Sequence, residues 1–153
     1  MATWSTFETA APELAAAGQR LLYQFGPGLG FLATVRADGG PRLHPICPVV
    51  VDGELWAFIL RQSPKCRDLE RDGRYALHSF PPVEKDDEFA VTGRVRRVDD
   101  PSPRSRVMDA TSARVGEDDE VLFALDVETA LLAIYEARGV FPPAYARWSD
   151  PSV

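Results

Sequence analysis

The feature that most constrains this chain is a pair of Asp-Gly turns separating three apolar runs. Residues 31–36 (Phe31-Leu32-Ala33-Thr34-Val35-Arg36) favour a pleated, half-buried backbone. Asp38-Gly39-Gly40 follows, residues 43–51 resume apolar character, Asp52-Gly53 comes next, and residues 54–60 form the third run. Asp-Gly between β-rich runs signals a hairpin, because tight hairpin turns need positive φ, which Gly adopts freely and Asp tolerates. The spacing predicts an antiparallel meander. Pro45 and Pro48 lack the donor a ladder needs, so the second run belongs at an edge or carries a bulge.

The remaining segments extend this frame. Over residues 12–25, Leu14, Leu21, Leu22 and Phe25 share a side with the small Ala17 and Gly18 at helical spacing, and Gly26-Pro27-Gly28 stops the helix. Residues 63–72 read as a short helix, and 75–80 and 89–98 as strands joined by a polar loop over 81–87. Residues 103–113 look helical, and 116–120 form an acidic loop. Residues 123–135 are ambiguous, since Leu and Ala favour helix whereas Val127, Thr129, Ile134 and Tyr135 allow a strand. The proline- and aromatic-rich tail from 139 reads as irregular. Five or six strands with few helices predict a closed or nearly closed antiparallel barrel of mainly-β (α+β) class.

Composition narrows the function classes. With 153 residues, 45% of them hydrophobic, one domain can bury a core without disulfides or metals. The net charge of −6 argues against general attraction to nucleic acid or anionic membranes. No apolar run reaches bilayer-spanning length, and the first residues lack the basic-then-apolar pattern of a signal peptide, so a cytoplasmic location is expected. Cys47 and Cys66 have no C-x-x-C spacing and read as reduced thiols.

The most informative segment is Arg61-Gln62-Ser63-Pro64-Lys65-Cys66-Arg67-Asp68-Leu69. Ser63 suits a helix N-cap and Pro64 the first helical position. Free N–H groups and the helix dipole favour an anion at that end, yet Arg61, Lys65 and Arg67 crowd it with like charge. A bound phosphate would offset that repulsion and pair with the side chains. A capped surface helix with solvated basic residues accounts for the same pattern, and both readings stand at this point.

Several segments together resemble the flavin-binding split barrel of the pyridoxamine-phosphate-oxidase-like family. They are Phe31-Leu32-Ala33-Thr34-Val35 with Asp38-Gly39, Pro41-Arg42-Leu43-His44-Pro45, Ser63-Pro64-Lys65 with Asp68-Leu69, and Val91-Thr92-Gly93-Arg94-Val95. The resemblance spans residues 31–99, more weakly to 135. It implies a six-stranded antiparallel split barrel with flanking helices, and one domain over 1–153 with an N-terminal helix at 12–25, a barrel at 31–136 and a tail at 139–153. It implies FMN as cofactor; the alternatives are a deazaflavin-dependent reductase and a non-catalytic protein that binds flavin or haem. Ser63, Lys65 and Arg61 would hold the flavin phosphate. Phe58 and Ile59 would border the ring through their backbone, and His44, Pro45 and Ile46, in a stretch reaching Pro48, would lie along it. A homodimer is implied, with Thr92 and Arg94 on the cross-subunit side, and an oxidoreductase activity on an unnamed small molecule. The C-terminal Arg-and-Leu substrate motif of true pyridoxamine phosphate oxidases is unmatched, Arg147-Trp148 being a loose echo, so oxidation of that substrate is not expected. No catalytic acid or base stands out. Haem would recruit His44 or His78.

Other patterns carry less. Gly26-Pro27-Gly28-Leu29-Gly30 follows a helix and lacks the third glycine of a dinucleotide fingerprint. His44 and Cys47 fall on opposite strand faces and, with the distant His78, make no metal ligand set. No G-x-S-x-G elbow is present, and Asp86-Asp87 and Asp118-Asp119 read as solvated charge.

Overall fold

The computed structural model describes residues 1–113 and 118–153, so positions 116 and 117 of the expected acidic loop lie outside the described residues. The elements in chain order are α1 (Trp4–Ala10), α2 (Pro12–Tyr23), β1 (Gly30–Val35), β2 (Pro41–Ile46), β3 (Val49–Val51), β4 (Glu54–Leu60), α3 (Pro64–Arg71), β5 (Arg74–Ser79), β6 (Glu88–Val98), α4 (Pro101–Ala110), β7 (Glu120–Ile134) and β8 (Ala144–Ser149).

Both Asp-Gly turns close hairpins. Asp52 and Gly53 sit at φ 53° and 73°, the pair of positive values that a type I′ turn requires, whereas in the first turn Gly39 alone takes positive φ, at 82°. The hairpins do not continue into one meander, however. The hydrogen-bonded order is β2-β1-β5-β6-β7-β4-β3, which places one hairpin at each end of the path. The expected strand over 43–51 is broken at Cys47-Pro48 into β2 and β3. Pro48 cannot donate to a ladder, and its carbonyl oxygen lies where a Cβ on Gly28 would stand, 1.9 Å away, so the chain bends there against a glycine. Only two residues separate the two edge strands, and three peptide steps span at most roughly 11 Å. The sheet must therefore curl until its edges nearly meet. That curled, unclosed antiparallel sheet is the split barrel the sequence implied.

It carries eight strands rather than six. One extra strand arises from the break at Pro48 and the other is β8. Residues 123–135, ambiguous in sequence, lie in β7 up to Ile134. Every residue from Val121 to Val127 is buried, so the alternation that marks a half-exposed strand is missing. β6 runs along one flank of β7. The other flank takes β4 at its start, Ala2 at Val127, and β8 from Thr129 onward. The tail expected to be irregular is therefore a strand, because β7 offers an open ladder to it. The helix α1, capped by the Thr3 hydroxyl accepting from the Thr6 N–H, carries too short a pattern to be read from sequence.

The inner face of the barrel is filled by Leu32, Leu55, Ile59, Leu77, Val91, Phe123 and Leu125, plugged by Trp4, Phe7 and Leu22 from the two N-terminal helices. Each such side chain contributes about 1.5–3 kcal/mol on burial. A second cluster of Val49, Trp56, Phe58, Val107, Leu122 and Ala124 lies beneath α4. β4 is thus buried on both faces.

Candidate functional site

The start of α3 is built as its residues suggest. The Ser63 hydroxyl accepts from the Cys66 N–H at 3.3 Å and donates to the Leu60 carbonyl at 2.7 Å. Pro64 has no N–H to offer. The Cys66 and Arg67 N–H groups also turn back to the Ser63 carbonyl. Among the described residues this leaves Lys65 as the first-turn position whose N–H is unclaimed, and its ammonium makes no hydrogen bond or ion pair. Lys65 is half-buried; burial pulls its pKa below the ordinary lysine value, against the opposing pull of Glu120 and Cys47.

Asp68 fastens this helix to the sheet. It is 4% exposed, and its Oδ2 accepts from Thr34 Oγ1 of β1 at 3.0 Å and from Arg42 Nε of β2 at 2.6 Å. Arg71 approaches its Oδ1 at 3.4 Å and also donates to the Val35 carbonyl. Burial alone would raise the Asp68 carboxyl; the bonds from Arg42 and Thr34 outweigh it and hold the group below its ordinary value.

β2 forms the neighbouring wall. His44 pairs with Leu32, and Arg42 with Thr34, so both side chains belong to the inner face, while Pro45 is exposed on the other. Ile46 is buried in the core. Burial lowers the His44 pKa, and Lys65 and Arg42 lower it further. These three groups therefore share one electrostatic neighbourhood, which also includes the half-buried Cys47, whose thiol is pushed up by burial and by Glu120.

The opposite wall is β4. β3 pairs only as far as Val49 with Trp56, so no strand covers that flank of β4 beyond Trp56. Main-chain groups of an antiparallel strand alternate between flanks, and Val51 and Glu54 are the bonded pair next to the turn. Glu54, Trp56, Phe58 and Leu60 therefore direct their N–H and C=O to this side. The Leu60 carbonyl is taken by Ser63, and among the described residues the main-chain groups of Phe58 find no partner on this side. The side chains behave differently: Phe58 is buried under α4 with the Arg104 guanidinium 5.0 Å above its ring, and Ile59 is in the core.

Not every expected residue joins this cluster. Arg61 is exposed, its N–H bonds the Asp119 carbonyl, and it lines a polar cavity of about 230 Å³ with Asp99, Arg104, Asp118 and Glu120. Arg94 donates to the carbonyl of Asp72, the C-cap of α3, at the far end of the helix from Ser63. Thr92 shares a 2.7 Å hydrogen bond with Thr129. Its register neighbours are Ala76 and, beyond that, Ala33 and Leu43. These residues form the outer face of the sheet, where Leu43 is 63% exposed. One chain does not bring Thr92 or Arg94 to the helix start. Sequence reasoning missed Arg42, Asp68 and Glu120 as members of the neighbourhood; the first two lie inside the quoted motifs, and Glu120 arrives only through the β4–β7 ladder.

A curled antiparallel sheet that does not close on itself among the described residues, with a capped, cation-bearing helix start beside the seam, defines the split-barrel class of folds. The chain belongs to the pyridoxamine 5'-phosphate oxidase family, whose model matches residues 20–134. Solved structures share the fold. The heme binding protein from Mycobacterium smegmatis is 18% identical with a TM-score of 0.66, over 88% of this chain and 57% of that one. General Stress Protein 26 from Bacillus anthracis is 19% identical with a TM-score of 0.62, over 87% and 97%. HutZ, the heme storage protein from Vibrio cholerae, is 20% identical with a TM-score of 0.57, over 77% and 89%. This chain thus spans little more than half the length of the M. smegmatis protein. No curated protein matches the sequence. Among the described residues, no helix is long and apolar enough to cross a membrane.

Proposed function

We propose that this chain is a flavin-binding protein that holds FMN at the seam of the barrel and serves as an oxidoreductase for a small molecule. The observation that carries this reading is Lys65, which offers an unclaimed N–H and an unpaired ammonium at the Ser63-capped helix start, between β2 and the open flank of β4. The N–H, the ammonium and the helix dipole suit a phosphate. The open main-chain groups of Phe58 suit the polar edge of an isoalloxazine ring, and His44, Pro45 and Ile46 would lie along it. Bound flavin supplies hydride transfer; the chain supplies orientation, a dry inner wall and positive charge at the phosphate end. Ser63 keeps the helix start in register, and a neutral His44 leaves the charge to Lys65 and Arg42.

The outer face supports a homodimer as the working form. Leu43, Ala33, Ala76 and Thr92 form a row of small and apolar side chains across four neighbouring strands. A second copy seated there would bring Thr92 and Arg94 of one chain toward its partner. Pyridoxamine phosphate is not the substrate in this reading. Trp148, in the position of the loose C-terminal echo, packs its ring 5.1 Å from Phe7, and Arg147 stacks on Tyr145 at 4.9 Å.

A haem-binding role is the second reading. His78 Nδ1 lies 2.6 Å from the Ser79 carbonyl, which can only accept, so Nδ1 carries the proton and Nε2 keeps the lone pair a metal needs. Absorption spectra of the purified protein, titrated separately with FMN, a deazaflavin and haem, decide among these. Saturable binding of FMN with the weaker binding of the other two is the expected result; a haem band with no flavin binding would replace the first reading with the second.

A further inference from the structure

Beyond the end of β5, the loop to β6 and the segment joining β7 to β8 border a cavity of about 300 Å³ whose lining includes His78, Asp86, Asp87, Glu88, Tyr135 and Phe141. At roughly 30 Å³ per water it has room for about ten waters, which is the lower end of the range for small-molecule sites. The two segments are pinned to each other. Asp87 Oδ1 accepts from the Tyr135 N–H at 2.9 Å, Asp86 Oδ2 from the Gly139 N–H at 2.7 Å, and Arg138 donates to the Val83 carbonyl at 2.8 Å. Asp86 and Asp87, expected from sequence as solvated charge, therefore fix the walls of the cavity.

Two polar groups on these walls have no use in the fold. Tyr135 is 4% exposed, yet its hydroxyl makes no hydrogen bond among the described residues. It is not sealed from water as the Trp4 indole nitrogen is, so it opens onto the cavity that the residue lines. The half-buried Glu88 makes neither a hydrogen bond nor an ion pair among the described residues. A phenol without a partner and a carboxylate crowded by two others both cost free energy that a suitable guest would recover. Among the described residues, Arg138 is the one cation that reaches the three carboxylates, at 3.6 Å from Asp86 Oδ1.

The rest of the lining has the same character. His78 Nδ1 gives its proton to the Ser79 carbonyl at 2.6 Å, which leaves Nε2 as an acceptor. The rings of Tyr135 and Phe141 meet at 5.3 Å and 82°, forming a corner of two π faces of the kind that attracts cations. No lysine or arginine lines the cavity. Burial raises the Tyr135 phenol above its ordinary value and the charge of Glu88 raises it further, so the group stays protonated at neutral pH. A bare metal ion does not suit these walls, because among the described residues no three His, Cys, Asp or Glu side chains come together to ligate one. The negative charge is spread instead around a space of small-molecule size.

We propose that this cavity binds a small organic ammonium, with the Glu88 carboxylate as its counter-ion, the Tyr135 hydroxyl and His78 Nε2 as acceptors of its N–H protons, and the Phe141 ring against its apolar part. The site holds whether or not a flavin occupies the seam, since it shares no residue with it.

The test is calorimetric titration of the full chain with phenethylamine, its uncharged counterpart 2-phenylethanol and the anion phenylacetate, which share a body and differ in charge. The variants are Glu88→Gln, Tyr135→Phe and, as a remote control on the exposed side of α4, Asp109→Asn. Neither the Glu88 carboxylate nor the Tyr135 hydroxyl holds anything in the fold, so both variants should keep the parent melting temperature. Phenethylamine is expected to bind saturably, and the alcohol and the anion at least about tenfold more weakly. Glu88→Gln should weaken the amine about tenfold and Tyr135→Phe about threefold or more, with 2-phenylethanol unchanged in both and Asp109→Asn without effect. Three results would overturn the proposal: equal binding of the amine and the alcohol, an equal loss in Glu88→Gln and Asp109→Asn, or no saturable binding of the amine up to about 10 mM. A loss in Glu88→Gln with none in Tyr135→Phe would remove the phenol from the site.

Discussion

Gly18 of α2 lies directly against the ring of Phe89 in β6: a Cβ added at position 18 would stand 2.3 Å from Phe89 Cε2. Phe89 is fully buried and has Trp4 edge-on at 6.2 Å, so the ring has nowhere to retreat. Gly18→Ala would gain about 1 kcal/mol of helix propensity but overpack this contact, at a cost of about 1–3 kcal/mol. The expected net is a loss, larger for Gly18→Val, read as a lower urea midpoint with an unchanged slope. A Gly18→Ala protein as stable as the parent would mean that α2 is not docked through this contact.

Lys65→Ala should weaken FMN binding about tenfold to a hundredfold and riboflavin far less, the loss of a charge-assisted hydrogen bond to phosphate being about 1.5–3 kcal/mol. Arg71 is a poor control for charge, since it holds the Val35 carbonyl and Asp68. Arg20, exposed at the end of α2, is the better one. Titration at two salt concentrations completes the test, because the phosphate-dependent part should weaken with ionic strength.

The outer sheet face should govern assembly. The parent protein is expected to sediment as a dimer at micromolar concentration, and Ala76→Arg, which puts a charge in the middle of that row, as a monomer. If the monomer keeps full FMN affinity, the flavin site is complete within one chain and Thr92 and Arg94 have no part in it.

Stability should fall at both pH extremes for nameable reasons. The Asp68 carboxyl is held below its ordinary value in the fold despite its burial. Its contribution is therefore present above the unfolded value, about 3.9, and is lost as pH falls through the lower folded value. Tyr75, fully buried and donating to the Asp126 carbonyl at 3.1 Å, is pushed far above its ordinary 10.0 by burial. Its contribution is present below pH 10 and is lost as pH rises beyond it. Asp68→Asn should flatten the acid limb of a stability–pH curve and Tyr75→Phe the alkaline limb, the latter with a loss of about 1 kcal/mol at neutral pH.

Much of this was legible in the residues. Asp38-Gly39 and Asp52-Gly53 mark two real hairpins, and Ser63-Pro64 marks the start of α3 to the residue. The local signals could not say which strands neighbour one another, because pairing of β1 with β5 and of β4 with β7 is set by the closure of the whole sheet. For the same reason Lys65 and His44 could be singled out from motifs, whereas Glu120 could not. β7 hid its period by being buried on both faces, and β8 hid among prolines because its partner strand, not its own composition, makes it extended.

The break at Cys47-Pro48 bears on how the molecule would accommodate a ligand such as the proposed flavin. Among the described residues no ladder bond joins β2 to β3, so the seam between them is bridged by side chains and by the two-residue tether. Parting strands elsewhere in the sheet would strip paired N–H and C=O groups, whereas widening the seam breaks none. The barrel is thus hinged at its own gap: the elastic cost of admitting a thicker or thinner guest falls on side-chain packing, and the tether caps how far the two lips can separate. A scaffold that stretches in one place and is stiff everywhere else can change what it grips by substituting a few residues along the seam, with the rest of the sheet left as it is.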